Sequence, residues 1–273
     1  MKFLAVEQHG GWRLFRWGWA LTMLFTWGMR GVGFAERFTD AGPIVRRVSL
    51  PLAHHLVLSE PAGWVVYGVL MAALVAVLVN RGTRAAVVVA MVIHTFLCLS
   101  EGLNYKGYDR LMVFQGICML IGPKGLDGKD HAVPIGRVAL LILYCSLYGQ
   151  TGIHKILDEP RWWDGSPLAY DLVHRNFGGL PLGVALSGMP GVMKFMSWST
   201  LGFETGFPLL IWIRPVRPWL LLVGMAFHLG ILVLMYVPSF TLASIAAYPL
   251  LLDPEQYRRV EGWVLARMGR RAA

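Results

Sequence analysis

Apolar residues gather along this chain in long runs, parted by short polar stretches rich in Lys, Arg, Gly and Pro. A helix needs about 20 mostly apolar residues to cross a bilayer. Eight runs meet that need or nearly so: roughly residues 14–34, 63–80, 85–99, 110–122, 137–156, 192–213, 218–236 and 240–252. The fourth and eighth are short, so a tilted or half-inserted helix stays open there, and with it six or seven crossings. Gly and Pro inside the runs are tolerated in membrane helices. The pattern predicts an all-α fold, a polytopic transmembrane helical bundle of about eight spans. Residues 1–253 form the membrane domain and 254–273 a basic interfacial tail.

Polar stretches give the bundle a direction. Lys and Arg are commoner on the side that holds Arg13, Arg81, Arg84, Lys124 and Arg214, which by the positive-inside rule puts both termini in the cytoplasm. The C-terminal stretch, with Tyr257, Trp263 and five arginines between 254 and 271, reads as an amphipathic helix on that face. Two outer stretches are long. Residues 35–62 hold Arg46, Arg47, His54 and His55, and residues 157–190 hold Trp162, Trp163 and Asp164. Loops of that length are functional or disordered, and their aromatic content favours ordered caps on the outer membrane surface.

Composition agrees. The 273 residues are 56% apolar and 15% charged, with a mean hydropathy of +0.53, where soluble domains carry about 25% charge. The net charge of +9 is spread between apolar runs and at the C-terminus, which suits a membrane surface and not nucleic acid. Cys98, Cys118 and Cys145 all lie in apolar runs without a CxxC pair, so no disulfide framework, thiol redox motif or metal site is expected. The first run has no cleavage site after it and reads as a retained span.

Ionisable residues inside spans are costly and usually mark function. His94, Glu204 and His228 lie ten or eleven residues from Arg84, Arg214 and Arg217. At about 1.5 Å per residue all three fall near the midplane of a core about 30 Å thick. A membrane His often only bonds a neighbouring helix, and for His94 that plain role is favoured two to one, whereas a midplane carboxylate needs a partner or a proton. His228 is one candidate partner for Glu204. A second constellation, Glu101, Asn104, Tyr105, Lys106 and Asp109, lies near the outer surface between the third and fourth runs. Lys155, eighteen residues past Arg137, stands about 27 Å up the fifth span. It either snorkels into the headgroups or is half-enclosed and serves as a base.

The stretch Tyr148-Gly-Gln-Thr-Gly-Ile-His-Lys155, followed by Trp162-Trp-Asp-Gly165 and Leu168-Ala-Tyr170, resembles the central signature of the horizontally transferred transmembrane domain family, HTTM. That family includes the membrane part of vitamin K-dependent gamma-carboxylases. Further pieces resemble it in order and spacing: Leu14-Phe15-Arg16, Tyr108-Asp-Arg-Leu111, Glu204 with Pro208, and Phe227-His228-Leu-Gly-Ile231. The resemblance implies that Lys155 is a base that deprotonates a reduced quinone. In the carboxylases the strong base so formed takes a proton from a glutamate side chain, and carbon dioxide adds. In an enzyme-like reading Glu204, His228 and His94 arrange protons or orient the ligand, and Glu101, Asn104, Tyr105, Trp162, Trp163 and Asp164 are further candidate ligand contacts. Two departures stand beside the resemblance. The carboxylases carry an Asn-His pair where this chain has Asn104-Tyr105, and the expected large lumenal domain is absent, so protein gamma-carboxylation is not the expected reaction.

Two function classes follow. One is an enzyme-like membrane protein of a bacterial inner membrane, binding a quinone or another lipid-soluble molecule. The other is a non-catalytic membrane subunit that assists a partner protein in secretion, peptide maturation or electron transfer. A transporter fits less well, because no inverted repeat is evident.

Overall fold

The computed structural model of the protein describes residues 6–42, 57–100 and 106–269. Among the described residues the regular structure is helical apart from one pair of two-residue strands and an isolated bridge between Thr39 and Leu58. Contacts group it into two compact units, Met1–Arg137 and Val138–Ala273. That division falls inside the stretch read above as one membrane domain.

In the first unit β1 (Glu7–Gln8) pairs antiparallel with β2 (His131–Ala132). Between them run α1 (Gly11–Gly31), the short α2 (Phe34–Phe38), α3 (Glu60–Leu78), α4 (Thr83–Ser100) and α5 (Gly107–Leu120). Helix α1 buries Trp12, Phe15, Trp19, Met23 and Trp27, spaced three or four apart, so one stripe faces the core. Its opposite face carries Trp17, Leu21, Phe25 and Met29, all exposed. Arg16 is buried and caps α3: its guanidinium donates to the carbonyls of Val77 and Leu78, the latter at 2.6 Å. That arginine therefore satisfies helix-end carbonyls and is not a loop cation.

The second unit holds most of α6 (Ile135–Leu157), which begins just before it. A 3-10 turn (Pro160–Trp163), α7 (Ser166–Val173) and α8 (Pro181–Ser187) follow, then α9 (Pro190–Leu210), α10 (Arg217–Leu234), α11 (Pro238–Ala246), α12 (Tyr248–Leu251) and α13 (Pro254–Arg267). The eighth apolar run is thus broken at Ala247, because Pro249 lacks the N–H that a continuing helix needs. Asp253 caps α13 through a reciprocal capping box with Gln256 and also holds Arg214 at 2.9 Å and Arg217 at 2.5 Å.

Each of the eight apolar runs thus lies on one or two helices. Among the described residues three of these, α3, α4 and α10, are long and apolar enough to cross a membrane by length and composition. Helices α1, α6 and α9 are as long, at 21, 23 and 21 residues, but carry the charged side chains that build the clusters described next.

Candidate functional site

The second unit brings Lys155 and Glu204 into direct contact. Lys155 Nζ donates to both carboxylate oxygens, at 2.5 and 2.7 Å. The reason lies one turn earlier on α6. A Cβ at Gly152 would stand 3.0 Å from Glu204 Cβ and 3.0 Å from the Thr205 nitrogen, and one at Gly149 would stand 3.3 Å from Pro208 Cγ. Two glycines three residues apart therefore let α9 lie close on α6. Lys155, three residues past Gly152, sits on that same face and reaches the carboxylate.

The Glu204 partner is accordingly Lys155 and not His228. Counted along the helices, Glu204 falls near the midplane and Lys155 near the outer boundary, yet the two side chains meet. That count took Arg137 as a boundary mark. The Arg137 side chain is instead buried on Glu7, at 2.7 and 3.0 Å. Nor does Lys155 snorkel freely: its side chain is 19% exposed and Glu204 8%.

Trp162 closes the pair from above, its ring centroid 4.6 Å from Lys155 Nζ. The indole is fixed by Nε1 donating to Glu159 at 2.8 Å and by Ser197 Oγ donating to the Trp162 carbonyl. Trp163 is half-exposed, and its carbonyl accepts from Trp198 Nε1 at 3.0 Å. Asp164 is exposed. It accepts from the Ser166 backbone and hydroxyl, at 2.8 and 2.6 Å, and these bonds hold its carboxyl below its ordinary value. Gly165 has φ +85°, and a Cβ there would stand 2.6 Å from the Met193 carbonyl carbon and 2.7 Å from Lys194 N. Both the left-handed backbone and the close approach require glycine. Gly165→Ala is expected to cost about 3 kcal/mol, read as a lower melting temperature in detergent. An unchanged melting temperature would show that the turn is not held against α9.

A cleft of roughly 580 Å³ opens beside this tryptophan, lined by Glu159, Arg161, Trp162, Ser166, Pro167, Tyr170 and Asp171. Burial pushes the Asp171 carboxyl up from its ordinary value and nearby Glu159 adds to this, while His174 and Lys155 pull it down.

His228 belongs to a separate polar core. Tyr148 Oη lies 2.6 Å from His228 Nε2 and 2.8 Å from Tyr248 Oη. Tyr144 Oη donates to the Ser244 carbonyl at 2.6 Å, and Thr241 Oγ1 to the His228 carbonyl at 3.1 Å. Rings of Phe227 and Phe240 stand 5.2 and 5.4 Å from the imidazole. His228 Nδ1 is buried with no hydrogen-bond partner among the described residues. Tyr148 lies seven residues before Lys155, on the same face of α6. That spacing was the available signal for a residue the sequence reading quoted but did not single out; Tyr248 had no such signal.

His94 lies in the first unit. Trp27 Nε1 can only donate, so His94 Nδ1 accepts at 3.0 Å and the ring proton sits on Nε2, 3.3 Å from the Asp109 carbonyl oxygen. Both ring nitrogens are therefore used, which is the structural role. Beside them Arg30 grips both oxygens of Asp109 at 2.9 Å, and Asp109 also accepts from Lys106 N at 2.8 Å, capping α5. His94, Cys98 and Asp109 place donor atoms within 4.8 Å of one another, as a metal site would. The guanidinium already on Asp109 and the indole N–H on His94 oppose a cation there. Glu101, Asn104 and Tyr105, like Arg46, Arg47, His54 and His55, lie outside the described residues.

Comparison of the chain with protein-family models, curated proteins and solved structures finds no match.

Proposed function

We propose that this chain is an integral membrane protein with an HTTM-like scaffold, in which Lys155 and Glu204 handle a proton beside a bound quinone or other lipid-soluble ligand. The observation that carries the reading is the two-pronged Lys155–Glu204 contact closed over by the Trp162 ring. To act as base Lys155 must first be uncharged. Glu204 is the group in place to receive the ammonium proton, leaving an amine and a carboxylic acid hydrogen-bonded to each other. Reduced quinones carry an acidic hydroxyl on a flat ring. The amine and the indole face are matched to those two features. On this reading the chain crosses a bacterial inner membrane about eight times, and the exposed apolar residues of α1, α3 and α10 suit a lipid setting. On this reading both termini are cytoplasmic, residues 157–190 form an outer cap and α13 is interfacial.

The second reading is a non-catalytic membrane subunit. It is favoured by the direct pairing of Lys155 with Glu204 and of Arg30 with Asp109 and by the exposure of Trp163, Trp198, Trp219 and Trp263, which suits docking as well as lipid. Purified chain titrated with a reduced short-chain quinone separates the two. Saturable binding that weakens about tenfold in Lys155→Ala is expected. Lack of saturable binding by the parent chain, together with a stoichiometric co-purifying protein, would select the subunit.

A further inference from the structure

The cleft beside Trp162 carries opposite charges that do not satisfy one another. Glu159 is engaged by the Trp162 indole, and the Ser166 hydroxyl donates to Asp164. Asp171 is half-buried and Arg161 is exposed, and among the described residues no hydrogen bond or ion pair engages either side chain. A half-buried carboxylate without a donor is costly, and a guanidinium in the same cleft presents a planar fork suited to phosphate. Tyr170, 61% exposed, supplies an aromatic face beside Asp171. The volume of roughly 580 Å³ is in the range of small-ligand sites.

We infer that this cleft binds the zwitterionic headgroup of phosphatidylethanolamine, its phosphate on Arg161 and its ammonium on Asp171 and the Tyr170 ring. The shared chemistry is an anion and a primary ammonium on one short linker. The lipid is the favoured source because the adjoining surface is an aromatic one. Trp163 and Trp198 are 49% and 50% exposed, are joined by a hydrogen bond, and carry Lys194 at 5.0 Å from the Trp198 ring. Tryptophan and lysine gather so at headgroup level. Primary ammonium is preferred over choline because only the former donates hydrogen bonds to the Asp171 carboxylate. The inference rests on the membrane reading of the chain and not on the lysine chemistry.

The test uses the full chain in detergent, exchanged with phosphatidylethanolamine, phosphatidylcholine or phosphatidylglycerol, with retained lipid counted by native mass spectrometry. One ethanolamine lipid per chain is expected, preferred about tenfold over the other two. Asp171→Asn should erase that preference. Arg161→Gln should weaken all three lipids without changing their order. Because no hydrogen bond or ion pair engages either side chain among the described residues, neither variant should lower the melting temperature of the lipid-free chain. Equal retention of the three lipids by the parent chain, or an unchanged preference in Asp171→Asn, overturns the site. Free phosphoethanolamine competing as well as the lipid overturns the lipid source. Release of the chain from membranes by alkaline carbonate would overturn the membrane reading itself, whereas membrane retention without lipid preference overturns only the headgroup site.

Discussion

Lys155→Met is expected to destabilise the second unit by about 3–5 kcal/mol, more than Glu204→Gln. The asymmetry follows from the surroundings. Glu204 is the more enclosed partner, at 8% against 19% exposure. Without the ammonium its carboxylate keeps a desolvated charge with no counterion. Glu204→Gln instead leaves an amide oxygen that still accepts from Lys155, and the longer, more exposed lysine can swing toward water. The double variant Lys155→Met with Glu204→Met removes both charges and should recover stability to within about 1 kcal/mol of the parent. It should nonetheless fail to bind a reduced quinone, if the proposed function holds. Thermal denaturation in detergent and quinone titration on the same four proteins give the comparison. A double variant that binds normally would leave the pair as packing only. Equal losses for Lys155→Met and Glu204→Gln would show that the site is wetter than its geometry indicates.

Asp109→Ala is expected to be as damaging in the first unit, by about 3–5 kcal/mol from the orphaned guanidinium and about 1 kcal/mol from the lost helix cap. Asp109 is fully buried, receives the Arg30 fork on both oxygens and accepts the Lys106 backbone N–H at the start of α5. One side chain therefore ties α1 to α5. Arg30 in turn lies 5.1 Å from the Trp27 ring, whose indole nitrogen sets the His94 tautomer. Asp109→Asn keeps one acceptor for the cap and one for Arg30, so its loss should be smaller. His94→Gln, which retains a donor and an acceptor, should cost least. An Asp109→Ala protein that melts with the parent would mean that Arg30 finds solvent, contrary to its burial.

Much of the helical order was legible in the runs of apolar residues, because a long buried or apolar segment satisfies its own backbone most simply as a helix. Each run lies on helix, and the shortness of the eighth reflected the real break that Pro249 imposes. Lys155 and Glu204 were legible as single residues, since charges inside apolar runs stand out against their surroundings. Their pairing was not. Counting residues from the nearest arginine assumes that the arginine marks a headgroup layer, and of those counted from, Arg137 and Arg217 are instead buried on carboxylates. The Arg30–Asp109 fork joins residues 79 apart, a separation that no local pattern encodes.

By itself the sequence determined the helical class, the apolar character of the helices and the small set of ionisable groups that burial would make consequential. These depend on composition and short-range periodicity, which the chain carries locally. Tertiary structure alone decided which charge meets which: Lys155 with Glu204, Asp109 with Arg30, His228 with Tyr148. The physical reason is that a buried charge or ring nitrogen is satisfied by whichever group the helix crossing brings within about 3 Å. That crossing is set by where glycines such as Gly149 and Gly152 let two backbones approach.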